Sequence, residues 1–105
     1  MKILKEKKIY KKLKNSKFSI IDFWAVWCTP CLYMNPIIEK IYKKYKNKIF
    51  IYKINIDENK ILTEKYNIKS IPTLIYFKYG NEIERQIGIV SKYNLIEKCK
   101  NFIKI

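Results

Sequence analysis

From Phe18 to Trp27 the chain reads Phe-Ser-Ile-Ile-Asp-Phe-Trp-Ala-Val-Trp, a nearly continuous apolar run. Such a run suits a strand covered on both faces within a parallel sheet. Asp22 is its one charged residue. Before it, Leu4, Ile9 and Leu13 recur at near-helical spacing in a lysine-rich stretch, predicting a short amphipathic helix over Lys5 to Lys17. Any strand ahead of that helix must be very short. After the apolar run, Met34, Ile37, Ile38, Ile41 and Tyr45 keep a helical period between Cys31 and Tyr45, with Pro36 placed to kink the helix. Ile49 to Ile56 returns to strand-like alternation. Asp57 can cap a helix reaching about Tyr66, with Ile61 and Leu62 turned inward. Thr73 to Tyr79 and Glu82 to Ile89 read as strands joined by a Gly80-Asn81 turn, hence an antiparallel hairpin. Ser91 can cap a last helix whose apolar stripe is Leu95, Ile96, Cys99, Phe102 and Ile103.

The resulting order, helix, strand, helix, strand, helix, strand, strand, helix, predicts an α/β fold. Its mixed central sheet is flanked by helices on both faces, the first two long strands parallel through a right-handed crossover. No linker or repeat divides the sequence, and the three prolines and two glycines stand singly. A chain of 105 residues has room for one core, so residues 1–105 are expected to form a single domain without a separate cofactor-binding unit. No cofactor is expected.

Hydrophobic types make up 49% of the chain, enough to close a core although 30% is charged. The net charge of +14, from 23 Lys+Arg against 9 Asp+Glu, would favour polyanions and anionic membranes. Yet Arg85 is the only arginine, so the forked donors suited to bases and phosphates are almost missing. The abundance of Ile, Asn and Tyr with only 2 Gly points instead to an AT-rich coding sequence. The basic surface is therefore read as a by-product, and nucleic acid is not expected as a partner. Lysines interrupt the chain up to Lys17, leaving no apolar middle for a signal peptide, and no segment approaches the roughly 20 apolar residues of a membrane span. Three cysteines without a histidine do not resemble a secreted disulfide framework. A cytoplasmic, monomeric protein without a membrane partner is expected.

Chemistry concentrates in Trp27-Cys28-Thr29-Pro30-Cys31, where the apolar strand gives way to the helix. A helix start offers unpaired N–H groups and partial positive charge, and both stabilise a thiolate. Cys28, at the opening, is the expected nucleophile. Cys31, three residues on, points back toward it on the first turn and can resolve a mixed disulfide. Pro30 fits the first turn because no N–H partner is needed there, and it stiffens the loop holding the two sulfurs. Half of a zinc site is the competing reading of a lone C-x-x-C. Zinc wants four N or S ligands, and only Cys99 is left to supply another, so no metal is expected within one chain.

The chain resembles the thioredoxin family over nearly its whole length after Phe18. The resemblance rests on Asp22-Phe23-Trp24-Ala25 before Trp27-Cys28, then Pro36, Lys53-Ile54-Asn55-Ile56-Asp57, Ile71-Pro72-Thr73, Phe77-Lys78-Tyr79-Gly80 and Gly88. It implies a thioredoxin fold and reduction of protein disulfides by dithiol–disulfide exchange, with a separate thioredoxin reductase restoring the dithiol. It further implies that Asp22 is a buried carboxylate that accepts and returns the proton of Cys31, with Lys53 beside it partly offsetting the effect of burial. A purely structural ion pair is the alternative for these two. By the same resemblance Trp27, Thr29, Pro30, Ile71, Pro72 and Gly88 shape the substrate surface, with Pro72 in cis. Trp24 either serves the site or is plain packing. Cys99 reads as an apolar filler.

Three departures stand out. Thr29 replaces the usual glycine between the cysteines, Asn67 and Ser70 replace family glycines before Pro72, and the amino-terminal strand is truncated. Two other jobs suit the same motif: a reductase dedicated to export or cytochrome maturation, and a binding module whose redox activity is incidental.

Overall fold

A computed structural model describes residues 6–104. Eight elements follow in the predicted order: α1 (Glu6–Asn15), β1 (Phe18–Trp24), α2 (Thr29–Tyr45), β2 (Phe50–Asn55), α3 (Lys60–Lys65), β3 (Thr73–Lys78), β4 (Asn81–Ile87) and α4 (Lys92–Phe102). Leu4 and Lys5, predicted to open the first helix, lie outside the described residues, as does any strand before them. The sheet runs β2-β1-β3-β4. β1 and β2 pair in parallel, joined by α2, while β1–β3 and β3–β4 pair antiparallel. The sheet is therefore mixed.

Side-chain alternation along β1 sorts the core into two layers. Phe18 and Ile20 point toward Met34, Ile38, Ile41 and Tyr45 of α2 and toward Leu95, Cys99 and Phe102 of α4. Ile21 and Phe23 point the other way, onto Ile9 and Leu13 of α1 and Leu62 of α3. Helices thus cover both faces, each buried Ile, Leu or Phe contributing about 1.5–3 kcal/mol against exposure. Asp22 shares the parity of Phe18 and Ile20, so the buried carboxylate lies on the α2 side of the sheet.

Several boundaries differ from the sequence reading. β1 ends at Trp24, because Val26 and Trp27 turn outward at 61% and 64% exposure instead of extending the buried run. α2 begins at Thr29, two residues before the predicted start, and runs unbroken through Pro36. The expected Asp57 cap is not made: Asn59 occupies the N-cap of α3, without a side-chain capping bond, and the Asp57 carboxylate bonds elsewhere. Leu62 is buried but Ile61 is 64% exposed. Consecutive helical residues diverge by about 100°, and in α3 Leu62 is the one that packs against the core layer of Ile21 and Phe23.

The hairpin turn is Tyr79-Gly80, one residue earlier than predicted, with φ of 48° and 82°. Both values are positive, as a two-residue type I′ loop requires, and Lys78 pairs directly with Asn81. Strand β4 stops at Ile87, where Gly88 takes φ 93°. The last helix matches expectation: the Ser91 side chain accepts from the Asn94 N–H at 3.1 Å, and Leu95, Cys99 and Phe102 are buried. No helix among the described residues is long and apolar enough to cross a membrane.

Candidate active site

Four residues, Ala25 to Cys28, separate the end of β1 from Thr29–Pro30–Cys31, and in that span the chain reverses from sheet to helix. Cys28 has extended backbone (φ −93°, ψ 103°) and is the N-cap of α2. Its sulfur takes the place of a capping oxygen, accepting the N–H of Cys31 at 3.2 Å. Cys28 and Cys31 are joined as a disulfide with Cα atoms 5.2 Å apart. Thr29 and Pro30 fill the first two helical positions and are exposed. Cys31 is 1% exposed and Cys28 5%, so the accessible edge of the pair is the Cys28 sulfur.

A second segment closes over that edge. The Ile71–Pro72 peptide is cis, and the Ile71 carbonyl oxygen lies 3.8 Å from Cys28 Sγ. The Pro72 carbonyl accepts the Gly88 N–H at 2.8 Å, which ties the start of β3 to the loop after β4. In that loop the Val90 N–H donates to Met34 Sδ of α2 at 3.4 Å. Segments distant in sequence are thereby linked in series, Ile71 to Cys28, Pro72 to Gly88 and Val90 to Met34 of α2. Asn67, where the family pattern has glycine, takes φ 52°, a left-handed conformation that Asn tolerates better than most residues.

Beneath the disulfide, Trp24, Ala25, Ile56 and Ile71 pack around the two cysteines. Asp22 is 2% exposed, and its Oδ1 has no hydrogen-bond partner. Burial pushes its carboxyl up to about 7, with the Lys53 charge pulling the other way. Lys53 is the lateral partner of Asp22 across the parallel β1–β2 pair. Its amine donates to Asn35 Oδ1 at 2.7 Å and sits 4.2 Å from the centroid of the Trp24 ring. Burial lowers the Lys53 pKa, opposed by the Asp22 and Glu39 charges. Trp24 is thus packed against the cysteines and also seats the lysine.

Trp27 stands outside this core, its indole N–H donating to Asp57 Oδ2 at 2.7 Å. Asp57 is oriented by its own N–H, which donates to Asn55 Oδ1 at 2.9 Å. Cys99 lies in the α2–α4 core layer, in a different cluster from the pair, and burial pushes its thiol up to about 12. It is a packing residue with a suppressed thiolate. Asn35 and Asp57 are the two site neighbours that sequence reading missed. Asp57 was visible in the Lys53–Asp57 motif but was assigned a cap, and nothing in the sequence marks Asn35.

Comparison with known proteins decides the family. A family model described as Thioredoxin matches residues 1–101. The chain belongs to the thioredoxin family. A thioredoxin of Rickettsia bellii is 44% identical over 91 residues, 87% of each chain. One from Buchnera aphidicola is 44% identical over 85 residues, covering 81% of this chain and 79% of the relative. A mutant thioredoxin from Halobacterium salinarum NRC-1 superposes with a TM-score of 0.88 over 98% of this chain and 89% of its own, at 23% identity, which speaks to the thioredoxin fold alone. Together with the Cys28–Cys31 pair, the family makes this chain a thiol–disulfide oxidoreductase that acts on protein disulfides.

Proposed function

We propose that Cys28 is the attacking sulfur, Cys31 the resolving one and Asp22 the proton acceptor between them. In the reduced protein, the Cys28 thiolate attacks one sulfur of a substrate disulfide, and the Cys28–substrate bond forms as the other substrate sulfur leaves as a thiolate and takes up a proton. Cys31 then gives its proton to the Asp22 carboxylate and attacks Cys28 Sγ. The intramolecular disulfide forms, and the second substrate sulfur leaves and is protonated in turn. Two electrons pass from the dithiol to the substrate, and a separate thioredoxin reductase returns them.

The observation that carries this assignment is the capping contact, the Cys31 N–H on the Cys28 sulfur. A sulfur serving as N-cap acceptor faces the unpaired N–H groups of the first turn, where negative charge is stabilised. Asp22 suits its part because a carboxyl held near neutrality can take and return a proton at working pH. Lys53 tempers it. Trp27, Thr29, Pro30, Ile71, Pro72 and Gly88 form the surface for an extended substrate segment, with the Ile71 carbonyl beside the reacting sulfur as a main-chain contact. The working unit is a single monomeric domain, 1–105, in a reducing cytoplasm.

The test is reductase-driven reduction of an accessible protein disulfide. Cys28→Ser is expected to abolish turnover. Cys31→Ser is expected to stall as a covalent Cys28–substrate adduct, visible by non-reducing electrophoresis. Turnover by Cys28→Ser at the wild-type rate overturns the assignment.

A further inference from the structure

Among the described residues, Lys53 carries the charge that opposes burial at Asp22, so whatever places its amine shapes the field at that carboxylate. The two residues are neighbours across β1 and β2, and both lie on the α2 side of the sheet. Yet the Lys53 amine is held by two uncharged groups, the Asn35 side-chain oxygen at 2.7 Å and the Trp24 ring at 4.2 Å. Neither cancels its charge. Asn35 is half-buried and lies four residues after Cys31, one turn further along the same face of α2. The helix that presents the resolving sulfur therefore also holds the cation.

We propose that Asn35 is a positioning residue for the exchange reaction: it fixes the Lys53 amine relative to Asp22 and thereby sets the pH range in which Cys31 can give up its proton. This rests on the reading of Asp22 as proton acceptor. From β2, Lys53 is the charged group facing Asp22, and at the start of α2 Cys28 and Cys31 are joined as a disulfide and carry no charge in the oxidised protein. From β3 the lateral partner is Leu74, which is apolar. Glu39 completes the set indirectly. It is exposed, it acts on Lys53, and it lies four residues beyond Asn35, further from the cysteines. An amine released by Asn35 moves toward Glu39 and solvent and away from Asp22.

The experiment is an NMR titration of the Asp22 carboxyl carbon in the oxidised protein, with Asn35→Ala, Lys53→Met and the double variant compared with wild type. Alanine is a strong helix former, so Asn35→Ala retains α2. Its Asp22 midpoint is expected to rise by about half a pH unit, the scale for a unit charge retreating a few ångströms at an effective dielectric of about 20. The same substitution in the Lys53→Met background is expected to produce no further rise. An unmoved or lowered midpoint in Asn35→Ala overturns the proposal, as does an equal rise without Lys53, which would mark a direct effect of Asn35. The pH profile of disulfide exchange is read alongside and is expected to follow the midpoint. Resolution at the wild-type rate and pH profile in Asp22→Asn would overturn the proton reading itself, which the carboxyl titrations do not measure.

Discussion

The backbone N–H of Cys31 donates to the sulfur of Cys28 at 3.2 Å, so the sulfur proposed as nucleophile is itself the cap of α2. An N-cap acceptor gains about 1 kcal/mol over an apolar residue, and more if it carries charge. In the reduced protein, Cys28 is therefore expected to react with iodoacetamide at lower pH than an unstructured cysteine, which titrates near about 8.5. Cys99, buried and pushed up to about 12, is expected to stay unmodified over the same range. Mass spectrometry of the alkylated peptides separates the two. Equal pH dependence for Cys28 and a peptide thiol would remove the basis for its role.

Asp22 makes stability depend on pH, in a direction opposite to most carboxylates. Its folded value of about 7 lies above the ordinary 3.8. Its protonated form is the one the fold tolerates, so stability is full below pH about 4 and falls as pH rises toward about 7, then levels. The full span corresponds to about 4 kcal/mol. Urea unfolding of the oxidised protein at pH 4 and pH 8 should show the loss, and Asp22→Asn should flatten it and be the more stable protein at pH 8. A wild-type curve that rises between these values would contradict the burial argument.

Trp27 is exposed but anchored on Asp57 by a 2.7 Å bond. The anchor is solvent-facing and contributes little to folding, within about 1 kcal/mol. Asp57→Ala is expected to leave the melting temperature within a few degrees of wild type while raising KM for a protein disulfide roughly fivefold. Steady-state kinetics with kcat and KM resolved checks this. A change confined to kcat would assign Trp27 to something other than substrate contact.

Gly80 and Gly88 share positive φ but differ in surroundings. A Cβ on Gly80 would lie 3.3 Å from the Lys14 Cα of α1, whereas one on Gly88 would meet nothing within 4 Å. Gly80→Ala is therefore expected to cost about 2 kcal/mol, from left-handed backbone and close approach together, and Gly88→Ala about 1 kcal/mol from backbone alone. Chemical denaturation ranks them, and the reverse order would show that the α1 contact yields easily.

Element order, the mixed sheet and the two core layers were all legible in the sequence, because apolar periodicity is a local property that burial merely ratifies. The junction chemistry was legible too. A C-x-P-C at the end of an apolar run places one sulfur at a helix start and the other a turn later whatever surrounds them. Boundaries were less so: the run through Trp27 looks uniformly buried, yet only the packing of α2 above the sheet decides that Trp24 stays inside while Val26 and Trp27 turn out. Ile61 likewise: only the packing of α3 on the opposite face of the sheet decides that Leu62 turns in and Ile61 out.

What tertiary structure alone decided are the contacts between segments that no spacing rule connects. Ile71 reaches Cys28 across 43 positions, Lys53 reaches Asn35 across 18, and Trp27 claims the Asp57 carboxylate across 30. A side chain's type states which bonds it can make, but competing partners at close range determine which it does make. Asp57 could cap a helix and instead orients an indole, because the fold brings that donor to 2.7 Å while α3 starts later, at Lys60.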